Sequence, residues 1–228
     1  MRALPWITTL SSALLLVTSA QAADLVLDPI EPLAPEVYDW TGAYIGAHAG
    51  YLAGTVDVDY EGVAGGGDID GFLAGLYAGY NWQLDGIVFG AEGDFGLGDV
   101  SGNGLAGPPP ATDYTYRLNW NAHLRGRIGL PADNALFYLA GGLAVASHTL
   151  GIDYGPVLMT VGEDTQVHVG WTIGAGAELA LADNMVLRAE YLYDDYGSRV
   201  YTDQQTTPEH YDVRITAHTV RAGVSLKF

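Results

Sequence analysis

In several segments of the chain, large apolar residues occupy every second position. The positions between them hold glycines and a recurring set of charged residues. They are Glu92, Arg125, Arg127, Glu178, Arg188, Glu190 and Arg221. Carboxylates and guanidiniums that face one another in a confined space form bidentate ion pairs. Such pairs could act as a gate for small solutes, or as a polar plug. We favour the plug, because side chains can fill a barrel of about eight strands.

Enzymatic chemistry has weaker support. Paired carboxylates serve glycosidases, but those enzymes need a defined carboxylate separation and a cleft that admits a sugar. Three histidines on the charged side of the alternation, His48, His123 and His168, could belong to a hydrolase. Neither a nucleophile elbow nor a metal-binding histidine spacing accompanies them. We therefore expect a protein that is not an enzyme.

Haem binding is a separate alternative, because it requires a histidine, tyrosine or methionine as axial ligand beside an apolar pocket. Suitable side chains occur in segments that we expect to be loops, at His148, Met159 and His210. Nothing in their spacing selects them. We therefore expect no bound cofactor, and haem stays open as an alternative.

The elements that position these residues are strands. From Trp40 onward, apolar and polar or small residues alternate with period two, which is typical of strands. The alternating segments are centred on residues 43–51, 72–82, 87–95, 118–128, 135–146, 167–179, 187–193 and 220–228. The fourth places Leu118, Trp120 and Leu124 on its apolar side, whereas the fifth is apolar on both sides and its facing stays open.

The location of the polar side distinguishes a soluble barrel from a membrane barrel. A soluble barrel or sandwich would hold its large apolar side chains inside. Here the opposite side is rich in glycine and carries the charges, which would make a costly soluble core. In a membrane barrel the arrangement is natural, since apolar side chains face lipid and polar ones fill the lumen.

The connections between segments alternate in length. The short ones are 83–86, 131–134 and 181–184, and the long ones are 59–69, 96–113, 147–165 and 195–211. Short periplasmic turns that alternate with long external loops are the topology of outer-membrane barrels. The sequence therefore predicts an all-β fold: an eight-stranded antiparallel transmembrane β-barrel of up-and-down topology, over residues 40–228.

The first residues indicate export. Arg2 precedes a short apolar run from Leu10 to Val17, and Ala20-Gln21-Ala22 fits a signal-peptidase site. We expect a signal peptide over 1–22, cleaved after Ala22, and a Pro-rich periplasmic leader over 23–39. No later run of about 18 apolar residues predicts a membrane-spanning helix. The expected location is the outer membrane.

Composition restricts the partners. The formal charge is −18, and nucleic acid is excluded as a partner because phosphate binding needs clustered Lys and Arg. We interpret the acidity as solubility of exposed loops. Arg117, Arg199 and Arg214 fall near the external ends of strands or in the fourth long loop, where they could contact lipopolysaccharide phosphates or be solvated. The chain has no cysteine, so it has neither disulfides nor thiolate metal sites.

Short motifs rich in glycine and aromatic residues recur along the chain. They are WTGAYIG at 40–46, GYNW at 79–82, AHLRGRIG at 122–129, GGLA at 141–144, GWTIGAGAE at 170–178, RAEY at 188–191, VRAG at 220–223 and the final Phe228. Together they resemble the RopB-like small outer-membrane proteins of alphaproteobacteria, porin-family relatives of the OmpA barrel domain. The resemblance implies a structural, surface-antigenic or porin-like barrel of the Gram-negative cell envelope, with haem binding in some members.

Phe228 has a further interpretation. Outer-membrane barrels commonly end in an alternating strand with a terminal aromatic residue, and the resemblance implies that the barrel assembly machinery recognises it. We therefore expect Phe228 to be an assembly signal, and the assembly machinery, outer-membrane lipid and lipopolysaccharide to be partners. The alternative is an isolated aromatic residue at the membrane interface.

Overall fold

The structure is a computed structural model that describes residues 38–106, 112–153, 161–203 and 209–228. Its strands are β1 Gly42–Tyr60, β2 Val63–Leu84, β3 Ile87–Ala106, β4 Thr112–Ala132, β5 Ala135–Asp153, β6 Val161–Ala182, β7 Met185–Asp203 and β8 Glu209–Lys227. The predicted signal peptide over 1–22 and nearly all of the leader over 23–39 lie outside the described residues. Within those residues, no helix is long and apolar enough to cross a membrane.

The eight strands form one closed barrel, as predicted. Each strand pairs antiparallel with the next along the chain, and β8 pairs with β1 from Tyr44↔Lys227 to Asp59↔Asp212. Among the described residues every strand is paired with both of its neighbours, although the ladder between β6 and β7 ends at Trp171↔Asp195. A closed sheet avoids the free edges that a lipid environment would not tolerate.

Tight turns join the strands at the end of the barrel where the chain enters. They are Asp85–Gly86, Asp133–Asn134 and Asp183–Asn184, each inside a segment predicted as a short connection. Asp85 and Gly86 have positive φ angles of 48° and 79°, the backbone of a type I′ hairpin turn that matches the twist of its strands.

At the opposite end, the segments predicted as long loops are largely hairpin extensions of the strands. Strands of 19 to 22 residues exceed the roughly 9–11 needed to cross a bilayer. On β1, the outward side chains are apolar up to Tyr51 and become polar from Thr55 onward. Each strand therefore has a lipid-facing half and a half that projects beyond the apolar band, and β1 and β2 meet at a two-residue turn, Glu61–Gly62.

One predicted facing is wrong. Leu118 points into the lumen and is 2% exposed, although Leu124 further along β4 faces outward. The cause is a bulge: the pairing of β4 with β5 shifts register between Leu118 and Trp120. An extra residue exchanges the two faces of a strand. An alternation that is continued across the bulge therefore assigns the residues beyond it to the wrong face.

The other alternations are confirmed. Outward apolar side chains are widely exposed, with Phe72 at 74% and Val220 at 65%. The facing of β5, which the sequence left open, places Leu136 and Tyr138 inside and Phe137 outside. The lipid-facing and inward faces thus follow from period two, except beyond the bulge of β4 and in β5, which is apolar on both faces.

We predict that the folded protein, extracted from membranes in mild detergent, migrates faster in SDS gels unheated than boiled. A closed barrel keeps its backbone hydrogen bonds internal and so resists SDS until it is heated. Gel mobility before and after boiling is the measurement. Identical mobility, together with recovery of the protein in the soluble periplasmic fraction, would contradict the membrane barrel.

Candidate functional site: a buried ion-pair lattice in the lumen

The seven charged residues predicted to face the lumen all lie inside the barrel and contact one another. Together with His123, which the sequence placed on the same side but outside the ion-pair set, and two aspartates that the sequence analysis did not select, they form a continuous set that we call the lumen lattice. Its members are Glu92, Asp94, His123, Arg125, Arg127, Glu178, Arg188, Glu190, Asp194 and Arg221, and none is more than 7% exposed.

Three ion pairs of the lattice join residues that face each other on adjacent strands. Glu92 on β3 is opposite Arg125 on β4. Glu178 on β6 is opposite Arg188 on β7, whose Nε donates to Glu178 Oε1 at 2.8 Å. Directly opposed partners of unlike charge stabilise strand pairing, so these contacts also support the register of the sheet.

The third adjacent pair is Glu190 on β7 with Arg221 on β8, whose Nε donates to Glu190 Oε2 at 2.7 Å. Arg221 also spans the lumen to β3, where Nη1 and Nη2 donate to the two oxygens of Asp94 at 3.2 and 3.1 Å. Arg125 spans it in the other direction and donates from Nη1 to Glu190 Oε1 at 2.9 Å.

A bidentate contact crosses the lumen between β4 and β6. Arg127 donates from Nη1 and Nη2 to the two carboxylate oxygens of Glu178, at 2.9 and 2.7 Å. Arg188 lies between two carboxylates, with Nη2 2.6 Å from Glu92 Oε2 and 2.6 Å from Glu178 Oε1. The contacts of Arg127 with Glu178 and of Arg188 with Glu92 thus connect strands that are not neighbours in the sheet.

His123 completes the charge balance of the lattice. Its Nδ1 lies 2.8 Å from Asp94 Oδ1, and its Nε2 lies 3.2 Å from Asp194 Oδ1. An imidazole can present a proton to two anions only as the imidazolium. Five carboxylates then face four guanidiniums and one imidazolium, so the lattice is neutral.

Asp94, His123 and Asp194 were missed as members, although a signal for them exists. Each has the inward parity of its strand, two residues from Glu92 or Arg125 or four residues from Glu190. The inward parity of His123 was recognised from the sequence, but its membership of the ion-pair set was not.

Tyrosines from the remaining strands line the lattice. Tyr44 on β1 donates its hydroxyl to Glu92 Oε2 at 2.8 Å, and Tyr138 on β5 donates to Glu190 Oε1 at 2.9 Å. The Arg188 guanidinium lies 4.1 Å from the ring centre of Tyr77 on β2, and that of Arg127 lies 4.6 Å from the ring of Tyr138. Desolvated cation–π contacts of this kind add stability.

Inward-facing glycines make room for these rings. A Cβ atom on Gly176 would lie 2.5 Å from the Tyr138 hydroxyl and 2.9 Å from the Ala189 carbonyl oxygen. A Cβ on Gly79 would collide with the Tyr44 hydroxyl. The glycine content of the lumen face is therefore a packing requirement of the lattice.

An apolar cluster lies on each side of the lattice. The cluster at the tight-turn end comprises Trp40, Val88, Leu136, Tyr138, Ala140, Ala180 and Val186. The cluster at the far end is larger and includes Leu52, Val56, Ile69, Leu73, Val100, Leu118, Leu150, Tyr196, Tyr201, Val213 and Ile215. Ionic groups therefore occupy the middle of the lumen and apolar groups occupy its two ends.

Trp40 belongs to the apolar cluster at the tight-turn end. It is 1% exposed, and its backbone N–H donates to Gln83 Oε1 at 2.9 Å. Tyr38 packs edge-on against its ring at 4.8 Å between centroids. The pKa of Asp39, at this rim, is lowered because the Thr41 backbone N–H donates to its carboxylate.

The chemistry open to this site is limited. Each lattice glutamate is bridged by arginines, and neither carboxylate of a glycosidase pair would reach a substrate. Among the described side chains no group of three or more His, Asp or Glu is arranged to hold a metal ion. His148, considered above as a haem ligand in a loop, lies inside the barrel at 3% exposure beside His168. Met159 and the side chain of His210 lie outside the described residues.

The comparisons with known proteins agree with the fold. A sequence model described as the outer membrane protein beta-barrel domain matches residues 10–228. The chain is 39% identical to the 31 kDa outer-membrane immunogenic protein of Brucella melitensis, over 96% of this chain and 97% of that protein. The chain belongs to the outer-membrane β-barrel protein family.

Other members of the outer-membrane barrel family are also similar. The 25 kDa outer-membrane immunogenic protein of Brucella abortus is 32% identical over 100% of both chains. The 22 kDa outer membrane protein of Rhizobium leguminosarum is 31% identical over 88% of this chain and 82% of that protein. The predicted resemblance to small alphaproteobacterial barrels and the outer-membrane location are therefore confirmed.

A solved barrel supports the architecture alone. The outer membrane protein OprG of Pseudomonas aeruginosa superposes with a TM-score of 0.56 at 12% identity, over 85% of this chain and 99% of that chain. In outer-membrane barrels the short turns face the periplasm and the long hairpins face outward. The tight-turn end described above is accordingly the periplasmic end.

Phe228 lies at the periplasmic end of the outer-membrane barrel. Its backbone N–H donates to the Ala43 carbonyl at 2.8 Å, and its side chain is 79% exposed toward the lipid side. The terminal residue thus belongs to the seam between β8 and β1. Its role as an assembly signal stays a prediction.

We predict that Gly176→Ala destabilises the barrel by about 1–3 kcal/mol, the usual cost of overpacking. The new methyl group would displace the Tyr138 ring from Glu190 and Arg127. Gly126→Ala is the matched control, because a Cβ there has no neighbour within 4 Å. The measurement is the temperature at which the fast-migrating form in SDS gels is lost. Equal losses in both variants would contradict the packing role of the lumen glycines.

Proposed function

We propose that this protein is a structural, surface-exposed barrel of the outer membrane whose lumen is plugged. It occupies and braces the membrane and presents its hairpins to the outside, and it carries out neither catalysis nor steady solute transport. The observation that carries this proposal is the lumen lattice, in which every guanidinium contacts a carboxylate at the centre of the barrel.

The lattice supports a plug more than a gate for three reasons. Its groups are buried and its charges balance. Arginines bridge non-adjacent strands with several contacts each, as Arg221 does between Glu190 and Asp94. Apolar clusters on both sides would have to open as well before a hydrated path could form. A buried charge separated from its partner costs several kcal/mol, so a rearrangement that leaves these charges unpaired is unfavourable.

The surface role is supported by the hairpin extensions and by the relatives. The extensions of β1 and β2 present Asp57, Asp59, Asp68 and Asp70 to water, which suits an exposed surface. Similar proteins of Brucella are named as outer-membrane immunogenic proteins. We extend that surface exposure to this chain. Its proposed partners are outer-membrane lipid, lipopolysaccharide and, through Phe228, the barrel assembly machinery.

We predict that the purified protein in planar phospholipid bilayers shows no steady conductance. Arg188→Ala removes the guanidinium between Glu92 and Glu178 and leaves an excess of negative charge, so it should admit a cation-selective current. Arg117→Ala is the matched control, because it removes an arginine from the outer surface. Current recordings on both variants, with folding checked by gel mobility, are the measurement.

The pore alternative makes the opposite prediction for the unaltered protein. A steady current that Glu92→Ala or Arg125→Ala abolishes would establish a conducting lumen and refute the plug. The conductance of the unaltered protein already separates the two alternatives, so the test remains informative if a variant fails to fold.

We predict that an epitope inserted between Glu61 and Gly62 is detected by antibody on intact cells. The same epitope between Asp133 and Asn134 should be detected only after the outer membrane is permeabilised. Both sites are tight turns, so the insertions disturb the barrel to a similar extent. Labelling of the second site alone on intact cells would invert the orientation and remove the proposed surface role.

A further inference from the structure

The seam between β6 and β7 is interrupted in the external half of the barrel. Its ladder ends at Trp171↔Asp195, so residues 161–170 of β6 and 196–203 of β7 share no backbone pairing. The other seven seams continue close to the external ends of their strands. In this half of the barrel the hairpins β5–β6 and β7–β8 are therefore neighbours without a common ladder.

A bulge in β7 accounts for the interruption. The pairing of β7 with β8 shifts register between Asp195 and Ser198, and Gly197 has a φ angle of 66°. A bulge bends the strand that carries it and disrupts the local ladder. At the foot of the seam the two backbones still touch, since a Cβ on Gly170 would collide with the Asp195 carbonyl oxygen. The pairing is thus lost only beyond Asp195, toward the outside.

Side chains bridge the interrupted part of the seam. Arg199 on β7 donates from Nε to the Val167 carbonyl on β6 at 3.1 Å. Inside the barrel, His168 Nε2 on β6 lies 2.9 Å from the Tyr201 hydroxyl on β7. The backbone of Gly197 lies beside the same imidazole. A histidine ring of β6 therefore contacts β7 along the part of the seam that has no ladder.

A second buried histidine packs against the first. The ring of His148 on β5 lies edge-on to His168, with 5.4 Å between centroids, and edge-on to Tyr196 on β7 at 5.7 Å. His148 is 3% exposed and His168 is 0% exposed. Neither ring nitrogen of His148 has a hydrogen-bond partner. Among the described side chains, the ion pairs formed by histidine both belong to His123 of the lattice.

Titratable and charged groups from three strands surround the two histidines and their tyrosine partners. In the part of the chain that the structure describes they are Tyr114 and Tyr116 on β4, Asp164 on β6, and Asp194, Tyr196, Arg199 and Tyr201 on β7. Both carboxylates have other partners. Asp164 accepts from Gln166 Nε2 at 3.0 Å. Asp194 accepts from the Tyr196 hydroxyl at 3.3 Å and pairs with His123.

The remaining strands enclose the histidines with aliphatic side chains. From β1, β2, β3 and β8 the external apolar cluster receives Leu52, Val56, Val58, Ile69, Leu73, Val100, Val213, Ile215 and Ala217. On the outer face, Asp195 at the foot of the seam pairs with Arg214 at 2.6 Å. A proton bound by His148 or His168 would therefore create a cation inside an apolar cluster, beside Arg199 and without a carboxylate partner among the described side chains. Such a charge is unfavourable until water reaches it.

We propose that the seam between β6 and β7 is an acid-sensitive switch. Neutral His148 and His168 keep it closed, and their protonation separates the hairpins β5–β6 and β7–β8 outside the membrane. The separation admits water to the new cations and exposes the external apolar cluster. The lumen lattice lies on the other side of that cluster, so the switch does not depend on whether the lumen conducts.

The direction of the pH dependence follows from which state binds more protons. The closed seam holds both imidazoles neutral, whereas the open seam lets them titrate in water at the ordinary imidazole pKa of about 6.5. The open state therefore binds more protons than the closed state. The closed seam is favoured above about pH 6.5 and loses this advantage as the pH falls.

The test measures distances between spin labels on the purified protein in detergent, by double electron–electron resonance at pH 7.5 and pH 4.5. The chain has no native cysteine, so labels attach only at introduced cysteines. The pair Glu163→Cys/Asp212→Cys spans β6 to β8 across the interrupted seam. The control pair Asp70→Cys/Asp212→Cys spans β2 to β8 across two continuous seams. We expect the first distance to grow at pH 4.5 by about 5 Å or more, roughly one strand spacing, and the control distance to stay constant.

Histidine variants of the labelled protein identify the titrating groups. His148→Phe/His168→Phe keeps two aromatic rings in the cluster but removes both sites of protonation, so the first distance should be equal at the two pH values. His148→Phe alone keeps the contact of His168 with Tyr201 and should move the widening to a lower pH. His218→Phe is the matched control, because His218 faces outward on β8 beside Tyr191, and it should leave the response unchanged. Gel mobility shows that each variant is folded at both pH values.

Three results would overturn the proposal. The first is a constant distance between the labels at positions 163 and 212 from pH 7.5 to pH 4.5. The second is an equal increase in the control pair, which would indicate a general loosening of the barrel. The third is an unchanged response in both His148→Phe and the double histidine variant, which would assign the titration to another group such as Asp164.

Discussion

The neutrality of the charges inside the lumen is the constraint on which the other features of this barrel depend. Ten ionisable side chains share a space from which water is largely excluded, and an unpaired charge there would cost several kcal/mol. Every strand contributes to this neutral set. Five strands supply the ionic groups, and β1, β2 and β5 supply the tyrosines that border them. The glycines, the tyrosine hydroxyls and the apolar clusters can each be understood as the surroundings that this balanced set requires.

The alternation of apolar and polar residues predicted most of the fold. The alternation of residue types assigned Glu92, Arg125 and Arg188 to the lumen, and the Asp-Asn and Asp-Gly pairs located the periplasmic turns. Both predictions succeeded because they depend only on residues that are close in the sequence. Leu118 was assigned wrongly because a bulge exchanges the faces of β4 without changing the residue types. The long external segments were read as loops because polarity marks exposure to water, and a hairpin beyond the membrane is as polar as a loop.

The sequence predicted which residues make up most of the candidate site, but not which of them contact one another. Parity could list which charges face inward, yet the contacts of Arg127 with Glu178 and of Arg221 with Asp94 cross the lumen between strands that are not neighbours. Such contacts depend on the tilt and stagger of the closed sheet, and one sequence does not specify them. The balance supplied by His123 was hidden for the same reason, since its two carboxylates come from different strands, β3 and β7.

The distribution of the lattice over five strands has a consequence for the life of the chain before it reaches the membrane. No two adjacent strands can satisfy all of these charges, so an unclosed chain keeps them hydrated, interspersed at every second position among its apolar residues. The same side chains therefore make the unfolded polypeptide hydrophilic enough to remain dispersed in the aqueous periplasm. Pairs on adjacent strands, such as Glu178 with Arg188, can form in an open sheet, but the contacts of Arg127 with Glu178 and of Arg221 with Asp94 form only when the sheet curves into a barrel. Complete desolvation of these charges therefore accompanies barrel formation.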